Sequence, residues 1–205
     1  MPKSNSQNSC DRGIAFIDVQ LLNLRTYASL LAEWIEKGEK TPDLDAFERL
    51  LAATRSHRKH QVHSEDGAPK KQAPRAHALS WPEFDDASQR MAFALRIPSI
   101  NAIVAVADFF EVHQMSGSRA PEVQFLMRLR AAALNENTFR IGAGDYLPHA
   151  AYAGLIIDEK LDGTLLFGDG VQPGFMEFGD TVGLLRYLAE MLGSIQTVVS
   201  SGDAG

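Results

Sequence analysis

The stretch GIAFIDVQLLNLRTYASLLAEWIEKGEK, residues 13–40, constrains this chain more than any other. Ile17, Leu21, Leu24, Ala28, Leu31 and Ile35 follow one another at steps of 4, 3, 4, 3 and 4 residues. That rhythm matches the helical period of about 3.6 residues and puts all six on one face. Phe16, Tyr27, Leu30 and Trp34 widen the stripe beyond a narrow seam. So broad a stripe needs more than one neighbour, and the spacing predicts a well-buried helix ending near Gly38. Ile17, Leu21, Leu24, Leu31, Trp34 and Ile35 are then the candidate protein-contact residues, for a protein partner or a homodimer.

Thr41 followed by Pro42 forms a good helix start, with Asp43 and Asp45 placed to favour its positive end. A second helix is expected over 42–58, carrying Leu44, Phe47, Leu50 and Leu51. Across so short a turn it pairs with the first as an antiparallel hairpin. Residues 59–76 then hold Gly67, Pro69 and Pro74, many charges and only Val62 as a large aliphatic, which is linker composition. Charge is unevenly spread along a chain of 205 residues and net charge -6. Residues 1–54 carry 6 basic and 8 acidic side chains, residues 55–77 carry 6 and 2, and residues 78–205 carry 8 and 16.

Beyond the linker, Ser80-Trp81-Pro82-Glu83 opens a helix expected to run to about Arg96 and to be broken by Pro98. Residues 99–112 fit a helix capped by Ser99, with Ile100, Ile103, Val104 and Ala107 on one face, although a buried strand fits the same apolar run. Ala120-Pro121-Glu122 starts a helix to about Leu134, with Val123, Leu126, Met127 and Leu134 towards the core. The character then changes. TFRIGAG, AYAGLIID and GTLLFGDG read as short strands, with EKLDG turning the second into the third. Asp180 is expected to cap a last helix bearing Leu184, Leu185, Leu188, Met191, Leu192 and Ile195.

The expected fold class is therefore α+β: an N-terminal helical hairpin, then a mostly helical domain with a small antiparallel sheet near the C-terminal end. The expected organisation is a disordered N-terminus 1–12, the hairpin 13–58, a basic His- and Pro-containing linker 59–76, the α+β domain 77–199 and a disordered tail 200–205. Apolar residues at 45% are enough for a substantial core. One cysteine, Cys10, excludes an internal disulfide and a Cys-based zinc site and suits a reducing compartment. No window reaches about 18 consecutive apolar residues, and the polar start has no signal-peptide pattern. These features point to a soluble, cytoplasmic protein with no membrane partner.

Four of the six histidines fall within RSHRKHQVHSEDGAPKKQAPRAH, residues 55–77. His57, His60 and His63 step by about 300° on a helix, so the outer two diverge by about 120°. They do not converge on a metal, and Arg55, Arg58 and Lys59 oppose a cation; no metal and no cofactor are expected. Without aromatics the segment offers no stacking to single strands. Arg55, Arg58, Lys59, Lys70, Lys71 and Arg75 can still contact phosphate or an acidic partner by charge. In GDYLPHAAY, residues 144–152, Asp145 is placed to orient His149 as a general base, with His113 as a third candidate. Asp158, Asp162, Gly163 and Asp169 loosely echo a calcium loop, but Lys160 holds a ligand position and the twelfth position is not Glu. There is no GxxxxGK[ST], HExxH, GxSxG or CxxC.

Three functions follow from these residues. The favoured one is a non-catalytic accessory or regulatory protein acting through protein contacts. The alternatives are a nucleic-acid-associated regulator using 55–77, and a hydrolase-like enzyme centred on Asp145 and His149. For the nucleic-acid reading, neutralising the six basic residues together should abolish binding and flatten its salt dependence in a filter-binding titration. A wild-type chain with no affinity at low salt excludes it.

Overall fold

The computed structural model describes residues 5–37, 86–142 and 144–202, with backbone alone at 5–8 and 196–202. The expected second helix, the linker, its basic residues and the Trp81 segment lie outside the described residues. Among the described residues the fold is α+β: four helices and one small antiparallel hairpin near the C-terminal end.

Helix α1, Asn5–Glu36, begins eight residues earlier than the apolar stripe suggests. The reason is Cys10, which is buried and sits seven residues before Ile17. Cys10, Ile17, Leu24 and Leu31 thus form one seam, and residues 5–12 are helical rather than a disordered leader. Gly13 lies on the same face. A Cβ there would meet Leu192 at 2.7 Å and Phe109 at 3.1 Å, so the missing side chain lets α1 approach its neighbours.

Helix α2, Ala87–Val112, is capped by Asp86, whose carboxylate accepts from Ser88 N. It passes straight through Pro98, which therefore does not end it. An interior proline costs about 3 kcal/mol. Continuity keeps Ala94 and Leu95 on one face with Ser99, Ala102, Ile103, Val106, Ala107 and Phe110, all buried. Each large side chain there contributes about 1.5–3 kcal/mol by burial, so continuation wins. Ser99 is no cap. Its hydroxyl donates to Leu95 O at 2.8 Å inside the helix. Residues 99–112 are helix, not strand. By length and composition α2 is apolar enough to cross a membrane; here it packs against α1 and, farther along the chain, against α3 and α4.

Helix α3, Pro121–Leu134, starts and stops where its sequence predicts. Its buried set is Val123, Phe125, Leu126, Leu129 and Ala132. Leu134 is exposed, because the helix ends there and its side chain has passed the core. Arg130 ties α3 to α2 through Asp108 at 2.6 Å and Glu111 at 3.2 Å. Helix α4, Phe178–Gly202, starts before Asp180 and continues into the expected tail. Asp180 is not the N-cap. It occupies the first turn and reaches back to accept from Glu177 N at 2.9 Å, half of a capping box. The main core gathers Ile17, Leu24, Phe110, Leu126, Leu129, Leu184 and Leu188 from all four helices. Leu31, Ala94 and Leu95 form a second cluster with Trp34, Ile35 and Phe178.

Between α3 and α4 the three expected strands collapse to less. The hairpin forms inside AYAGLIID, as β1 Ala151–Tyr152 and β2 Leu155–Ile156, not across EKLDG. Its two turn residues, Ala153 and Gly154, have φ of 47° and 87°, the left-handed pair that a tight hairpin of this twist needs. EKLDG instead contains a 3-10 turn, Glu159–Leu161, capped by Asp158. TFRIGAG and GTLLFGDG form only an isolated bridge, Thr138 to Leu165, flanked by backbone bonds from Phe139 N to Thr164 O and from Gly163 N to Phe139 O, both at 2.9 Å. Side chains finish what a ladder would do. Asp162 accepts from Ile141 N at 2.8 Å. Buried Asn137 donates to Phe167 O at 2.7 Å and accepts from Phe167 N at 3.1 Å. Residues 167–176 close into a loop in which Gly174 lies against the backbone of Gly168 and Phe167, leaving no space for a Cβ.

Asn137→Ala should leave both Phe167 backbone groups buried without partners, destabilising the fold by about 2–4 kcal/mol in urea denaturation. Gly174→Ala should be at least as damaging, whereas Leu134→Ala should change the midpoint little.

Candidate functional site

An apolar groove of about 600 Å³ lies where the N-terminal part of α1, the C-terminal end of α2 and the later turns of α4 meet. Its construction follows from how α2 stops. Gln114 turns the chain with φ of 59°. Gln114 N then donates to Glu111 O at 3.0 Å, and Met115 N to Phe110 O at 2.7 Å. This double closure is the Schellman pattern, here with Gln where Gly is usual. It folds Met115 back towards Phe110, and both line the groove. Gln124 fixes the following loop by donating to Ser118 O at 2.6 Å. Leu192 and Phe110 are buried at the groove, while Val112 and Ile195 stand exposed at 76% and 46%. Met115 and Met191 complete the apolar lining.

Two groups in the groove carry chemistry, Cys10 and His113. Burial, helped by the charge of Asp11, pushes the Cys10 thiol above its ordinary value. A thiol held protonated is a poor nucleophile. The His113 ring packs on Phe109 with centroids 4.2 Å apart. Nothing here assembles a nucleophile with an activating base.

A second, smaller cavity of about 190 Å³ lies between α2 and the 167–178 loop. Arg96 borders it with its guanidinium 4.6 Å from the centre of the Phe93 ring. Its Nε is buried without a hydrogen-bond partner. Asp169 accepts from Val171 N at 2.8 Å and Gln172 N at 2.7 Å. Those backbone donors, first Gln172 and then Val171, hold its carboxyl below the ordinary value, with a smaller contribution from Arg96.

No hydrogen bond joins the residues nominated for catalysis. Asp145 spends its carboxylate on Gly142 N at 2.8 Å. His149 is exposed in a shallow depression beside Leu147, Pro148, Ile156 and Lys160. His113 belongs to the groove, which shares no lining residue with that depression. Arg128 and Arg130 serve structure, Arg128 by donating to Tyr146 O at 3.2 Å. Among the described residues no three His, Cys, Asp or Glu side chains converge on a metal position. Of the nominated contact residues, Ile17, Leu24 and Leu31 are buried in the chain's own core. Leu21, Trp34 and Ile35 pack against it. The basic candidates at 55–75 lie outside the described residues. The groove itself went unnoticed in the sequence, since Cys10 sits among polar neighbours. Its seven-residue step to Ile17 was the available signal. Compared with known proteins, the chain matches no family model, no curated protein and no solved structure.

The Asp169 carboxylate supports the 167–176 loop only while ionised. Its folded pKa lies below the unfolded one, so its contribution is present above the unfolded value and is lost as pH falls through the folded value. Amide exchange at Val171 and Gln172 should therefore accelerate on acidification into that range, and Asp169→Ala should remove the pH dependence.

Proposed function

We propose that this chain is a non-catalytic accessory protein that binds a protein partner, taking the partner's apolar side chains into the groove between α1, α2 and α4. One observation carries the reading: an apolar floor of Phe110 and Leu192 lies open beside the exposed rim residues Val112 and Ile195. Met115 and Met191 suit such a surface, because unbranched thioether side chains repack around different shapes. At about 600 Å³ the groove has room for several side chains. A small polar metabolite is the poorer fit, since the polar groups at the groove include a thiol kept neutral and a histidine whose ring packs at a tilt on Phe109. Anchoring by a few buried apolar residues inside a polar surround is the usual energetic plan of such contacts.

A photo-crosslinking residue in place of Val112 should join the chain to a defined protein in cells. Ile195→Glu, at an exposed rim position, should abolish that adduct without lowering the melting temperature. Absence of an adduct, or one indifferent to Ile195→Glu, ends this reading.

A further inference from the structure

Helix α1 has a second apolar face. At about 100° per residue, Ala15, Val19, Leu22, Thr26 and Leu30 fall in a strip about 80° wide, opposite Ile17 and Leu24. All five are exposed, with Val19, Leu22 and Leu30 at 52%, 61% and 62%. Charged residues bound the strip at its two ends, Arg12 and Glu33, both exposed. None falls inside it: Asp18 and Arg25 point well to one side.

We infer that this strip docks a second copy of the chain, the two α1 helices lying antiparallel about a two-fold axis beside Leu22. The strip reads nearly the same in both directions. Arg12 pairs with Glu33, Ala15 with Leu30, and Val19 with Thr26, each pair of numbers summing to 45. About an axis near residues 22 and 23, small Ala15 meets large Leu30, Val19 meets Thr26, and Leu22 packs on Leu22 of the second copy. Arg12 faces Glu33 at both ends. Glu33 is bound to Lys37 through one oxygen at 2.6 Å, leaving Oε2 for the guanidinium. A parallel pair would instead set Arg12 on Arg12 and Glu33 on Glu33. Self-complementarity of this kind is what an isologous interface requires, and a cover supplied by another part of the same chain does not. Arg12 to Glu33 spans about 32 Å of helix. That is at the small end for a stable contact, so the dimer dissociates on dilution. The strip shares no residue with the groove, so this inference and the partner-binding reading stand or fall separately.

Sedimentation equilibrium of the full chain tests it, and a monomer–dimer equilibrium is expected. Leu22→Asp should weaken association by at least about tenfold with helix content unchanged by circular dichroism. Arg12→Glu should weaken it several-fold, and Arg12→Glu combined with Glu33→Arg in one chain should restore it. A mixture of Ala15→Cys and Leu30→Cys chains should oxidise to a heterodisulfide that neither gives alone. A monomer up to about 1 mM overturns the inference. If Leu22→Asp then also lowers the melting temperature of that monomer, the chain's own residues cover the strip. A dimer indifferent to Leu22→Asp, or one crosslinked between two Ala15→Cys positions, overturns it equally.

Discussion

The fold depends on one seam. Cys10, Ile17, Leu24 and Leu31 recur every seven residues along α1 and are all buried. They lie towards α2 and α4, the two helices that α1 contacts most. The approach is close because Gly13 presents no side chain to Leu192 and Phe109. With α1 removed, the apolar faces of α2 and α4 would lose their shared neighbour. Residues 5–36 are thus part of the same core as the rest of the described chain, rather than a separate attachment.

The region between α3 and α4 shows the opposite economy. Strands of two residues supply few ladder bonds, so the backbone polar groups of 137–176 need other partners. Asn137 takes both groups of Phe167, Asp162 takes Ile141 N, and Asp169 takes Val171 N and Gln172 N. Phe125, Phe139, Tyr152 and Phe175 pack as an aromatic cluster across this segment. Short polar side chains and aromatic contacts therefore supplement the scattered backbone bonds, such as Phe139 N to Thr164 O and Met176 N to Leu166 O, in place of an extended sheet.

The helices were legible because periodic burial leaves a periodic trace. Residues 99–112 and 121–134 took helical form as their apolar spacing indicates. Pro98 misled because a local penalty is outvoted by the tertiary burial on either side of it. The hairpin was misplaced because Ala153 adopts a left-handed conformation usually marked by Asn or Gly. Of the groove, only the seven-residue step from Cys10 to Ile17 left a trace in the sequence. The groove arises where three distant segments end together, and no spacing within one segment encodes that meeting. Outward-facing Leu30 was obscured for a related reason: the broad stripe in sequence included it, whereas the structure places it with Val19 and Leu22 on the exposed face.

What the polar residues do decides how this molecule can act. Asp145, Asp158, Asp162, Asp169 and Asp180 each accept a backbone N–H close by in the fold. Asp158, Asp162 and Asp169, whose spacing loosely echoes a calcium loop, support different turns, and among the described residues no three such side chains come together. For the proposed base, the contact seen at Asp145 is with Gly142 N rather than with His149. Arg128 and Arg130 are likewise occupied by Tyr146 O and by the Asp108–Glu111 pair. Asp145, Arg128 and Arg130 thus make hydrogen bonds or ion pairs within the fold, while His149 is exposed. The open groove and the outer strip of α1 are what present apolar surface among the described residues. Apolar surface of this kind gains free energy by being covered.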